Sequence, residues 1–221
     1  MRNYAPDPPA TRSSSASNPG SASAPEATSA PRSRQRVQPV EVSAWLDARR
    51  DRITERWLGE LQGREASLEG LNGVVEEFLS LLVRFLPAVL GPHREQVDPL
   101  WTRASELFGA MAARRALAAG EVIEEFQILR EAVIRLLYQD PPLAGRARLS
   151  LREVLRLNRA IDRGVTHASV GHTDALFFSL FEGSGIPDAP PAQELVSEVR
   201  AQLAELRAEF EAIVGYVPDS E

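Results

Sequence analysis

The stretch EVIEEFQILREAVIRLLYQD, Glu121 to Asp140, decides the fold class. At about 100° per residue, Val122, Phe126, Leu129, Val133, Leu136 and Leu137 fall on one stripe, widened by Ile123 and Ile134. Apolar residues three and four apart mark an amphipathic α-helix. Glu124, Gln127, Glu131 and Arg135 face away, with Glu131 and Arg135 spaced as an i,i+4 surface pair. Arg130 breaks the pattern. It projects between Phe126 and Val133, inside the stripe. An unpaired buried guanidinium costs several kcal/mol, so Arg130 requires an acceptor.

The next helix supplies candidates. It starts at Ser150 and reaches about Glu182, with a stripe of Leu151, Val154, Ile161, Val165, Leu176 and Leu180. Asn158 and His172 fall within that stripe and Asp162 on its shoulder. One reading is a buried or half-buried Arg130–Asp162 salt bridge with Asn158 nearby. The other is that Arg130 runs along the core edge to solvent or to a partner chain. His172 reads as a hydrogen-bonded core histidine, with haem ligation as the competing reading. His93 and His167 project to polar positions.

The same period extends outward in both directions, and no alternating run suggests a strand. Ser43 is a candidate N-cap for a helix over 43–62, with Leu46, Ile53, Trp57 and Leu61 on its inner side. A second helix covers 71–90, with a kink or an end near Pro87. In DPLW, residues 98–101, Asp98 reads as a cap and Pro99 as a first-turn residue. Leu100, Ala104, Leu107, Phe108 and Met111 line that helix. Gly120 is expected to break the chain before the opening stretch, and QDPPLAGRA reads as a loop after it. GSGIPDAPP, 183–191, is a linker. The last helix, 192–214, carries Val199, Leu203, Leu206, Phe210 and Ile213 in a short heptad seam. That seam must lie on the body or on a second copy, which marks it as a candidate dimer helix.

The expected fold is therefore all-α, a bundle of about six helices in a simple or globin-like arrangement. The domain is 40–182, joined to the final helix. Residues 1–38 are Ser, Ala and Pro with few large apolar side chains, and a disordered tail is expected there.

Composition removes several chemistries. There is no cysteine, which excludes disulfides, zinc–thiolate sites and thiol catalysis. All 25 basic residues are arginine, which excludes Schiff-base lysines and a P-loop lysine. Net charge is −6. Residues 1–38 hold five Arg against Asp7 and Glu26, leaving 20 Arg against 29 acids in the rest. A net acidic body argues against nucleic acid as a partner. The longest apolar run, FLSLLVRFLPAVL, is interrupted by Arg84 and Pro87, so no membrane span is expected. No apolar leader is visible, and a cytoplasmic location is expected. The acid pairs Glu76–Glu77 and Glu124–Glu125 are adjacent, so each pair diverges around its helix. No G-x-S-x-G, HExxH or repeated Glu-x-x-His occurs. No catalytic residue, metal site or cofactor is expected.

The run GEVIEEFQILREAVIRLLYQD, with LNRAIDRGV at 157–165, resembles the N-terminal domain of RsbR-type stress-sensor proteins, the RsbT co-antagonist family. ITERWLGELQ and VVEEFLSLLVRFLPAVL also suit that domain, and the resemblance covers residues 42–182. It implies a non-enzymatic helical sensory domain that precedes an output module, a STAS domain in stressosome proteins. It places Arg130, Asn158 and Asp162 inside the matching motifs. The 221 residues hold no STAS, kinase or DNA-binding module, so the expected output acts in trans, on a STAS or kinase partner, from a homodimer. The competing expectation is a haem- or ligand-binding protein built on His172 with Phe177, Phe178 and Phe181.

Overall fold

The computed structural model describes residues 39–62, 72–142, 151–181 and 192–215. The proposed tail, the linker and the position of Ser150 lie outside these residues. Seven α-helices are described, and no strand is present among the described residues: α1 Pro39–Asp47, α2 Arg50–Gln62, α3 Asn72–Leu90, α4 Arg94–Arg114, α5 Ala119–Gln139, α6 Leu151–Phe181 and α7 Ala192–Gly215. The bundle is as expected, but the first helix is two.

The break falls at Ala48–Arg49. There Arg49 N–H turns back to the Leu46 carbonyl, and the Arg49 side chain binds the Asp140 carboxylate, Nη2 to Oδ2 at 2.6 Å. Ser43 is inside α1 rather than at a cap, and its hydroxyl donates to the Pro87 carbonyl at 2.7 Å. Pro87 does not end α3, which runs on to Leu90. Asp98 and Pro99 likewise lie inside α4, which begins at Arg94.

α3 is apolar on nearly all sides, as a central helix must be. Val75, Phe78, Leu79, Leu82, Phe85 and Leu86 are all fully buried. α1, α2, α4 and α7 surround it. An aromatic cluster fills the middle. Phe108 stands edge-on to Phe126 at 5.5 Å and to Phe78 at 5.3 Å, with Trp57 6.1 Å away. The buried indoles also tie helices together. Trp57 Nε1 donates to the Glu125 carbonyl at 2.9 Å and Trp101 Nε1 to the Ala160 carbonyl at 3.0 Å.

The largest helix–helix interface joins α4 to α6. It works because side chains are missing. A Cβ on Gly109 would stand 1.8 Å from the Ala168 carbonyl oxygen, and one on Gly171 would stand 1.9 Å from the Glu106 carbonyl oxygen. The two backbones touch. One turn earlier, a Cβ on Gly164 would meet the Phe126 and Trp101 rings at 2.7 and 2.8 Å. The buried face of α6 is thus Glu153, Leu157, Ala160, Ile161, Gly164, Ala168, Gly171 and His172. This corrects the expected stripe: Leu151, Leu176 and Leu180 are exposed. Ile123 also falls just outside the core.

α7 lies on the body. Val199, Leu203, Leu206 and Phe210 are buried against α3 and α4, and Ile213 is partly buried. Phe210 stacks at 4.8 Å from Phe85. Its flanks carry ion pairs to α3 and α4, including Arg84–Glu211, Arg114–Glu198 and Arg103–Glu209. The Glu209 hydrogen bond raises the Arg103 pKa further above its ordinary value. The heptad seam is therefore spent within the chain and offers no free face for a second copy.

Replacing a helix-interior glycine by alanine ordinarily stabilises by about 1 kcal/mol. Gly59 in α2 has nothing near its missing Cβ, so Gly59→Ala should follow that rule. Gly171→Ala should do the opposite and cost about 2 kcal/mol or more, because backbone must move. Paired denaturant unfolding curves check the opposite signs.

Candidate functional site

Four polar residues were singled out on α5 and α6, and the structure joins two of them. The Arg130 guanidinium pairs with the Asp162 carboxylate. The pair is more open than the buried or half-buried bridge expected: the Arg130 side chain is 23% exposed, and Asp162, at 58%, is exposed. Of the two readings of Arg130, the structure shows the pairing: its head finds the acid. At this exposure the pair contributes on the order of 1 kcal/mol or less. Asn158 sits one helical turn before Asp162. Its Oδ1 is buried without a hydrogen-bond partner, as is Arg130 Nε. The α5–α6 seam is thus only partly satisfied, unlike most buried polar groups.

His172 has a different post. It is buried, and its Nε2 lies 2.7 Å from the Leu117 carbonyl oxygen. A carbonyl only accepts, so Nε2 carries the hydrogen. Leu117 belongs to the turn between α4 and α5. Phe177, Phe178 and Phe181 do not surround the histidine. They stand on the far end of α6 and are 55%, 66% and 73% exposed. The two halves of the haem reading are therefore apart: the histidine is buried and the rings are exposed.

That turn holds what sequence reasoning missed. Leu117 N–H bonds the Ala112 carbonyl and Ala116 N–H the Ala113 carbonyl, the Schellman arrangement that ends a helix. Glycine normally occupies the left-handed position. Here Ala116 does, with φ 60°. Gly120, expected to make this break, is inside the first turn of α5. Glu121 reaches back to the Ala118 N–H at 2.6 Å and closes the N-terminus of α5.

Beneath the turn lies a buried ion pair. Both terminal nitrogens of Arg115 lie 3.4 Å from Glu125 Oε1, and both side chains are 4% exposed. The sequence held a signal for it. Glu125 is three residues after Val122 and four before Leu129, on the apolar stripe itself.

A second missed feature is a basic stripe on α6. Arg152, Arg156, Arg159 and Arg163 follow at spacings of four, three and four, which places them on one helical face. Three of them, with Arg94, line a cleft of about 410 Å³ whose apolar part includes Val89, Leu90 and Ala160. Arg156 is held by Glu153 at 3.1 Å and by the Leu90 carbonyl at 2.9 Å. Arg163 is held by Asp98 at 2.7 Å. Asp98 was read as a cap and instead serves as this anchor.

Among the described residues, no three His, Asp or Glu side chains come together as a metal site requires. No described helix is long and apolar enough to cross a membrane. No family model, curated protein or solved structure matches the chain.

Two stability measurements follow. Glu125→Ala should cost about 3 kcal/mol, because it strips a buried guanidinium of its carboxylate. Ala116→Gly should stabilise by about 1 kcal/mol, by relieving the left-handed strain. Chemical denaturation of each variant reads both shifts.

Proposed function

We propose that the chain is a non-enzymatic sensory or regulatory module of bacterial stress signalling, of the RsbR type. It is cytoplasmic, and it acts through protein contact in trans with a STAS or kinase partner. The resemblance over 42–182 supports this reading. The observation that carries it is the end of α6. After His172 the helix continues for more than two turns with Leu176, Phe177, Phe178, Leu180 and Phe181 all exposed. Single exposed apolar residues are ordinary, but a contiguous group of three phenylalanines and two leucines marks an interaction surface.

In this reading a second copy covers that end. Val170, Phe177 and Phe181 recur at helical spacing along it, and the Phe177 and Phe181 rings stack at 4.5 Å. Two such stripes make a short helix–helix contact. The homodimer face is thus moved from α7, whose seam is buried, to α6. The partly satisfied seam of Arg130, Asn158 and Asp162 is the switch, because two arrangements of such a link differ by only a few kcal/mol.

The double variant Phe177→Glu/Phe181→Glu should convert a dimer to a monomer in light scattering without loss of helical content. It should also abolish co-purification of STAS or kinase proteins from the native cell. A wild-type chain that stays monomeric at high micromolar concentration contradicts the dimer. Arg130→Met that leaves signalling intact contradicts the switch.

A further inference from the structure

The chain carries a net charge of −6, yet one concave site concentrates positive charge. Arg94, Arg156, Arg159 and Arg163 line the cleft between the C-terminus of α3, the N-terminus of α4 and the middle of α6. Asp162 is the one carboxylate among the lining residues, and Arg130 already neutralises it. Counting the partners Glu153, Asp98 and Arg130, five guanidiniums face three carboxylates.

We propose that this cleft binds a small phosphorylated molecule carrying at least two negative charges. Arg156 and Arg163 are anchored through Glu153, the Leu90 carbonyl and Asp98, so their forks are already oriented. Oriented donors lose little further freedom on binding. Arg94 and Arg159 have no acidic partner among the described residues and supply the uncompensated charge. Guanidinium forks match phosphate oxygens two at a time. The cleft volume is that of an ordinary small-ligand site and exceeds what inorganic phosphate fills. Val89, Leu90 and Ala160, themselves buried, form the apolar floor of the cleft.

The setting disfavours a nucleic-acid backbone. The basic field does not continue as a track: on the other side of Arg94 the surface is lined by Glu95, Asp98, Pro99 and Thr102. A polyanion longer than the cleft meets those carboxylates. Arg156 also removes a local obstacle, because it occupies the Leu90 carbonyl at the negative end of α3.

The site stands on the cleft alone and not on the regulatory reading. Titration calorimetry of the full chain with inorganic pyrophosphate tests it. Wild-type protein should bind. Arg159→Ala and Arg94→Ala should each weaken binding by about tenfold, the loss of roughly one charge-assisted contact. Both side chains are exposed, so folding should be unaffected, and circular dichroism checks this. Arg52→Ala, on α2 and outside the cleft lining, should bind as wild type. Asp162→Asn should tighten binding, since it removes the one lining carboxylate. Absence of pyrophosphate binding, or binding indifferent to Arg94 and Arg159, overturns the proposal. Tighter binding of citrate than of pyrophosphate overturns the phosphate assignment. Tighter binding of a single-stranded oligonucleotide through the same arginines overturns the small-molecule assignment. Loss of this site with partner capture intact leaves the regulatory reading standing, and the converse result leaves the site.

Discussion

The contact on which the rest of the molecule depends is the backbone-to-backbone crossing of α4 and α6 at Gly109 and Gly171. Neither glycine has room for a Cβ, and each faces a carbonyl of the other helix. This closeness sets the axial position of α6 against the core. It brings Ala160 to the Trp101 indole, Gly164 to the Phe126 ring and His172 to the Leu117 carbonyl. Interiors are close-packed and resist added volume. A crossing this tight is therefore a pin rather than a sliding surface.

Pinned in the middle, the 31-residue α6 changes character along its length. Its first half turns Arg156, Arg159 and Arg163 toward the cleft beside α3 and α4. Its centre is a face of small residues that exists for the crossing. Its last turns leave the body and expose aromatic side chains. One helix thus holds an arginine-lined cleft along its first half and exposed apolar side chains in its last turns. The Arg130–Asp162 pair sits at the edge of that cleft and ties α6 to α5. The buried Arg115–Glu125 pair and the His172 hydrogen bond hold the α4–α5 turn from two sides. They spend buried polarity on fixing a turn that has no glycine to make it easy.

Much of this was legible in the residues. The period of the α5 stripe was unambiguous because Val122, Phe126, Leu129, Val133, Leu136 and Leu137 outweigh the two charged residues, Glu125 and Arg130, that share their face. The Arg130–Asp162 pairing was one of two readings reached by asking where a misplaced cation finds an acceptor. The α6 stripe was misread because hydrophobicity rewards Leu151, Leu176 and Leu180, whereas the crossing selects Gly164, Ala168 and Gly171 for their lack of bulk. Helix starts were misplaced for a related reason. Ser43 and Asp98 have capping chemistry, but tertiary partners, the Pro87 carbonyl and Arg163, claim them instead. Gly120 looked like the break because glycine ordinarily supplies the left-handed residue, and Ala116 does so here. Glu125 was within reach of the same wheel that exposed Arg130. The arginine stripe on α6 was periodic in the sequence. Its meaning depended on Arg94 arriving from another helix, which no local pattern encodes.

Native-state hydrogen exchange resolved by residue, at two protein concentrations, tests the central claim most directly. If the crossing pins the fold, amides of 104–113 and 160–172 exchange only through global unfolding and are the slowest in the molecule. Amides of 173–181, whose large apolar side chains are exposed, then exchange far faster in dilute protein, and under the proposed dimer they slow as concentration rises. Fast, independent exchange across 160–172, with α4 still protected, would contradict the account. It would mean that α6 opens without the rest and that the glycine contact is not what holds the bundle.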